Sequence, residues 1–279
     1  MRDNKTLNQE KIMDLVAAIS PMARDYVENV FADTVVLHAQ TEKGKEGVFL
    51  KATSEDSCIY YASYSDDSSS ELPKRIGAEL EHAPLVTGEL CFNVYGQNRR
   101  IIDLVQKKGF ALDMEGYVLC YDHTMPIPDA FDLGGLTVDG FDAHFIDDFV
   151  GLFESAYMQL NLENGWDTKS YSRNAESFCR QLIELHERQL LKSFWNQGVL
   201  LGCYIIGENF INDIVIHPDF QNRGYGSLIL RHCLRFMRKE KGVFDIYLRV
   251  ARSNEGAKRL YERNGFRVIS HFAEHTYQG

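Results

Sequence analysis

The segment 211–227, INDIVIHPDFQNRGYGS, constrains this chain more than any other. Ile214, Val215 and Ile216 form an apolar run that reads as a buried strand. His217-Pro218-Asp219 ends it, because proline removes a ladder donor and disfavours continuation. Gln221-Asn222-Arg223-Gly224-Tyr225-Gly226 then opens directly into a helical pattern. Tyr225, Ile229, Cys233 and Phe236 recur at helical spacing, as do Leu230, Leu234 and Met237. A strand therefore feeds a glycine-bearing turn that becomes a helix N-terminus. Such a turn points several free backbone N–H groups at one spot, where the helix dipole also favours negative charge. That geometry suits a phosphate or pyrophosphate. Spacing excludes the two familiar glycine loops. A dinucleotide fingerprint needs a third Gly or Ala where this chain has Ile229, and a Walker loop needs Gly-Lys-Ser/Thr where Gly226 is followed by Ser227-Leu228.

A second motif lies downstream. Ile246-Tyr247-Leu248-Arg249-Val250 alternates like a strand, and Asn254 to Phe266 follows as NEGAKRLYERNGF. Asn254 suits a helix N-cap. Ala257, Leu260 and Tyr261 fall on one helix face, Gly265 suits a C-cap, and Phe266 begins the next apolar strand. Together the two motifs, Gln-x-x-Gly-x-Gly and Asn-x-x-Ala-x-x-Leu-Tyr-x-x-x-Gly-Phe, resemble those of the GNAT superfamily of acyl-CoA-dependent N-acyltransferases.

The resemblance implies an acetyl-CoA site with no metal. Backbone amides of Arg223, Gly224, Tyr225, Gly226 and Ser227 would hold the pyrophosphate, with Gln221 and Asn222 counted in the same cofactor-binding turn. The pantetheine arm would pair like an extra strand with Ile214, Val215 and Ile216, one of whose N–H groups would polarise the thioester carbonyl. Asn254 resembles the family's pantetheine-contacting Asn and is equally a plain helix cap. Tyr261 stands where the family places the general acid that protonates the departing thiolate; otherwise it is a packing tyrosine. The base is open among Asp213, Glu208 and His217, with solvent a further route. The segment 158–171 would wall the acceptor pocket, offering Glu163, Trp166 and Asp167 to a cationic amine. The implied reaction is acetyl transfer by direct attack in a ternary complex, to a small amine or a peptide N-terminus. An acyl-CoA-binding sensor or interaction module on the same fold is the alternative.

Composition narrows the rest. The net charge of −10 argues against a nucleic-acid partner. Residues 1–133 carry 13 Lys/Arg against 22 Asp/Glu, whereas residues 134–279 carry 17 against 18, so the glycine-loop half is the less acidic one. No apolar run approaches the ~18 residues of a membrane span, and the first residues read as an amphipathic helix rather than a secretion signal. Cys58, Cys91, Cys120, Cys179, Cys203 and Cys233 form no CxxC or CxxH pair, which points to free thiols in a cytoplasmic protein. The oligomeric state is not legible.

The expected fold is α/β: a tandem GNAT arrangement, with a mixed central sheet flanked by helices in each half. The predicted boundaries are a first domain over 1–122, a proline-bearing linker over 123–133 and a second domain over 134–279. In the second, a short strand at 135–138 precedes helices at 146–160 and 171–187. Strands follow at 190–195, 199–206, 210–216 and 244–250, with two more closing the chain. The first half repeats the order in worn form. Asn98 to Phe110 has the same Asn-to-Gly-Phe spacing as Asn254 to Phe266, but Val105 stands at the place of Tyr261. Strands are expected at 34–39, 48–52, 58–64, 90–94 and 116–121, after two helical stretches. Where a phosphate loop would lie the sequence is Asp66-Asp67-Ser68-Ser69-Ser70-Glu71, three acids and no glycine. A polyphosphate would be repelled there, so the cofactor is expected in the second half only.

Overall fold

The computed structural model describes residues 9–19, 24, 27–28, 34–40, 47–53, 57–64, 72–81, 89–96, 98–127 and 132–278. In chain order these build α1 (Gln9–Ile19), β1 (Thr34–Gln40), β2 (Gly47–Thr53), β3 (Ser57–Tyr64), α2 (Leu72–Glu81), β4 (Glu89–Tyr95), α3 (Arg99–Lys107) and β5 (Phe110–Tyr121). There follow β6 (Thr137–Asp139), α4 (Ile146–Asn164), α5 (Ser170–Arg173), α6 (Ala175–Glu187), β7 (Leu191–Asn196), β8 (Val199–Ile206) and β9 (Phe210–Ile216). The chain closes with α7 (Tyr225–Lys239), β10 (Tyr247–Ala251), α8 (Glu255–Arg263) and β11 (Phe266–Tyr277). They fall into two compact units, Met1–Val118 with Val268–Gly279, and Leu119–Arg267.

In the first unit the strand order is β1-β2-β3-β4-β11-β5. β1 to β2 and β2 to β3 are antiparallel, β3 to β4 is parallel, and β4 to β11 is antiparallel. Alternation along β2 sorts its side chains between two cores. Val48 and Leu50 pack with Ile12, Met13 and Val16 of α1. Phe49 faces the other way, stacking its ring on Tyr60 and Phe92, in a core closed by Ile76 of α2 and Ile101, Ile102 and Val105 of α3.

The second unit orders its strands β10-β9-β8-β7-β6. β6, β7, β8 and β9 are antiparallel neighbours, and β9 to β10 is parallel. Tyr121, at the end of β5, donates its N–H to Ile246 O at 2.8 Å. β8 is apolar almost throughout because both its faces are covered. Phe149, Leu152 and Phe153 of α4 and Phe178 and Leu182 of α6 bury one face against Cys203, Ile205 and Val215. α7 buries Ile229, Leu230, Cys233, Leu234 and Met237, the stripe its spacing predicts.

Each unit is thus an α/β mixed sheet with the same local order: three antiparallel strands, a helix, a parallel strand and a second helix. Several boundaries differ from the sequence reading. The units divide at Val118 and Leu119, and the last strand from Val268 counts with the first unit, because β11 finds its partner in β4, far away in sequence. One long strand, β11, replaces the two expected at the end. β5 begins at Phe110 rather than 116. α4 runs on to Asn164, where Gly165 stops it at φ 71°, so most of the expected 158–171 loop is helix. The helix predicted over 171–187 is divided, with Asn174 between α5 and α6. The 66–71 segment and most of the second N-terminal helical stretch lie outside the described residues.

Candidate functional site

β9 and β10 pair only at Phe210↔Tyr247 and Ile211↔Leu248. Beyond these positions the two strands part, while β9 stays paired to β8 as far as Ile216. One edge of β9 therefore offers its peptide groups to the opening. That opening is a cleft of about 560 Å³. Tyr157 and Glu163 of α4, Ile214 and Ile216 of β9, the 221–227 turn, and Asn254 and Tyr261 all border it.

The turn at its mouth is built by local chemistry. His217 caps a short 3-10 turn, Pro218–Phe220, its Nδ1 accepting the Asp219 N–H at 3.3 Å. Asn222 (φ 59°) and Gly224 (φ 88°) both sit in left-handed backbone. In α7 the Leu228 N–H reaches Gly224 O at 3.1 Å. The N–H groups of Tyr225, Gly226 and Ser227 precede this bond in the first turn and have no intrahelical acceptor. The result is a cradle of N–H groups at a helix N-terminus, an arrangement in which negative charge is favoured.

The residues predicted to bind cofactor divide by what they do. Ile214, Ile216, Asn222, Gly224, Gly226, Ser227 and Asn254 border the cleft. Val215 buries its side chain in the core, leaving only its backbone at the strand edge. Gln221 also borders the cleft, but its Nε2 donates to Ile216 O at 3.0 Å and so braces the end of β9. At Gly226 the surroundings are tight: a Cβ there would come 3.2 Å from Leu260 Cδ2 of α8, which would have to shift by a few tenths of an ångström. Arg223 and Tyr225 are not among the bordering residues. Asn254 Oδ1 caps α8 by accepting the Ala257 N–H at 3.1 Å, which leaves its NH2 group as the part able to reach a ligand.

Tyr261 is buried at the cleft wall. Burial, joined by the charges of Asp213 and Cys233, pushes its phenol well above the usual range, so it stays protonated and can serve as a proton donor. Asp213 projects from β9 on the face opposite Ile214 and Ile216, where Tyr157 O–H donates to its Oδ1 at 2.7 Å. Burial raises the Asp213 carboxyl, and the Tyr157 hydrogen bond only partly offsets it. Glu208 does not join them. It is exposed in the turn between β8 and β9, at the opposite end of β9 from Ile216. His217 engages its Nδ1 in the cap and is not among the bordering residues. Of the acceptor-side residues, Glu163 borders the cleft and accepts Gln159 Nε2 at 2.6 Å, whereas Asp167 is tied to Arg173 at 2.7 Å.

The bordering residues not singled out from sequence include Tyr157, Arg259 and Arg263. The two arginines lie four apart on α8, the spacing that places them on one face. Nothing local marks Tyr157; its significance comes from a partner 56 residues away.

Comparison with known proteins agrees with this geometry. Residues 152–266 match the acetyltransferase (GNAT) family. A 62-residue stretch is 37% identical to the [ribosomal protein bS18]-alanine N-acetyltransferase of Salmonella typhimurium, covering 22% of this chain. The chain spans only 41% of that relative's length. Among solved structures, a GCN5-related N-acetyltransferase from Sphaerobacter thermophilus superposes with a TM-score of 0.51 at 16% identity, over 95% of this chain and 90% of that one. A GNAT-family acetyltransferase from Colwellia psychrerythraea gives 0.53 at 11% identity, over 91% and 95%. At these identities the likeness is one of fold. The match to the acetyltransferase (GNAT) family thus takes in both the 221–227 turn and Tyr261.

Proposed function

We propose that the second unit transfers an acetyl group from acetyl-CoA to a primary amine by direct attack in a ternary complex. The observation that carries this reading is the parting of β9 and β10, which brings a free strand edge, a helix N-terminus and a buried phenol to one cleft. The pantetheine arm takes the place of a strand along β9 from Ile214 to Ile216, and a backbone N–H there polarises the thioester carbonyl. The 222–227 N–H groups hold the pyrophosphate, and Arg263 adds positive charge nearby. Amine attack forms the C–N bond. As the C–S bond breaks, Tyr261 gives its proton to the departing thiolate.

The acceptor is a small amine or a peptide N-terminus; the curated relative acts on an alanine of a ribosomal protein. In the first unit β3 and β4 stay paired from Ser57↔Glu89 to Ser63↔Tyr95. That unit is a degenerate copy without a cofactor slot.

The test mixes the protein with acetyl-CoA and spermidine, lysine or an alanine-initiated peptide and follows thiol release. Turnover on at least one amine is expected, with Tyr261→Phe lowering kcat by about 10²-fold or more while acetyl-CoA affinity holds. Tight CoA binding with no turnover on any amine, in wild type and variant alike, would overturn the reading.

A further inference from the structure

The cleft presents a phenol where an amine base is needed, and the carboxylate lies one hydrogen bond behind it. Tyr157 of α4 borders the cleft together with Tyr261. Asp213 does not border it, but its Oδ1 accepts the Tyr157 O–H at 2.7 Å. An amine in the cleft therefore meets Tyr157 before Asp213. We infer that Tyr157 is a catalytic residue that passes the acceptor's proton to Asp213, a relay resting on the acetyl-transfer reading above.

The step balances as follows. The amine nitrogen forms a bond to the thioester carbonyl carbon and releases a proton to Tyr157 Oη. In the same motion Tyr157 gives its own proton to Asp213 Oδ1. The C–S bond breaks, and the thiolate takes the proton of Tyr261. Asp213 ends neutral and Tyr261 ends as phenolate, and exchange with solvent restores both.

Two features of the site favour a concerted relay over stepwise deprotonation. The groups facing Asp213 are Tyr157 from α4, Tyr171 from α5, Cys203 from β8 and Tyr261 from α8. None is a cation that would hold the carboxylate ionised, so burial raises its proton affinity. Burial also places the Tyr157 phenol well above its usual range, which disfavours a free phenolate. The proton is then held at the carboxylate and only handed on by the phenol.

Steady-state kinetics with acetyl-CoA and the best amine of the panel above test the relay. Tyr157→Phe is expected to lower kcat by about 10²-fold or more with the acetyl-CoA KM little changed. Asp213→Asn should remove the acid limb of the kcat/KM pH profile, and the double variant should be no slower than the slower single one, as expected for residues acting as a unit. Calorimetric CoA binding and the thermal midpoint show whether each variant keeps its fold. A Tyr157→Phe enzyme with wild-type kcat overturns the relay, and so does a loss of kcat matched by an equal loss of CoA binding and stability. If the wild-type protein acetylates no amine, the acetyl-transfer reading itself fails; turnover by wild type with an indifferent Tyr157 sinks the relay alone.

Discussion

Gly224 and Gly226 stand two residues apart and are glycine for different reasons. At Gly224 the space around a Cβ is open and the backbone, at φ 88°, is the constraint. At Gly226 the backbone is ordinary helix and the constraint is the Leu260 side chain. Gly224→Ala is therefore expected to cost about 1–2 kcal/mol, read from denaturant unfolding. It should weaken acetyl-CoA binding as the cradle shifts, and unchanged stability and binding would show that the turn tolerates an L side chain. The cradle was legible in sequence because every residue that shapes it lies within one short segment. Tyr157 was not, since neighbours in α4 mark it only as one more aromatic beside Phe153. Glu208 misled for the converse reason: it is near Asp213 in sequence, but the β8–β9 turn holds it away from the cleft.

Among the elements, α4 and α5 are fastened by a single buried carboxylate. Glu154 accepts from Lys169 Nζ at 2.7 Å and from the Ser172 N–H at 2.9 Å, pinning the segment that carries Tyr171 against Phe153 and Phe178. Burial alone would raise the Glu154 carboxyl, but the hydrogen bonds from Lys169 and Ser172 outweigh it and hold it down to about 2. The unfolded chain, with Glu near 4.3, takes up this proton first as pH falls. The contribution is therefore complete above about pH 4.5 and is lost between there and pH 2. Glu154→Gln should destabilise at neutral pH by about 1 kcal/mol, Lys169 being half exposed, and should flatten the stability slope in that acid window. A variant with the wild-type slope would assign the acid sensitivity elsewhere. The helices themselves were readable from their apolar spacing, but the end of α4 was not. Met158 to Asn164 is polar enough to pass for a loop, and only the left-handed Gly165 marks where the helix stops.

For the whole molecule, the contrast lies in which parallel pair is closed. β3 and β4 are paired along seven positions, Ser57↔Glu89 to Ser63↔Tyr95, whereas β9 and β10 are paired at two. Titration calorimetry is accordingly expected to give one CoA per chain, and a stoichiometry of two would refute the degenerate-copy reading. The sequence led to the expectation of a difference between the halves from the 66–71 segment, which lies outside the described residues; the strand pairing is a separate ground for proposing it. Pairing between distant segments leaves no local trace, and for the same reason the place of β11 was not anticipated. That strand has a consequence in time. β4 needs residues Phe272 to Thr276 as its antiparallel neighbour, so during synthesis the first unit waits, with one strand edge unfilled, until nearly the last of these residues has emerged. The unit begun first is therefore completed only after the strands of the second unit have been made.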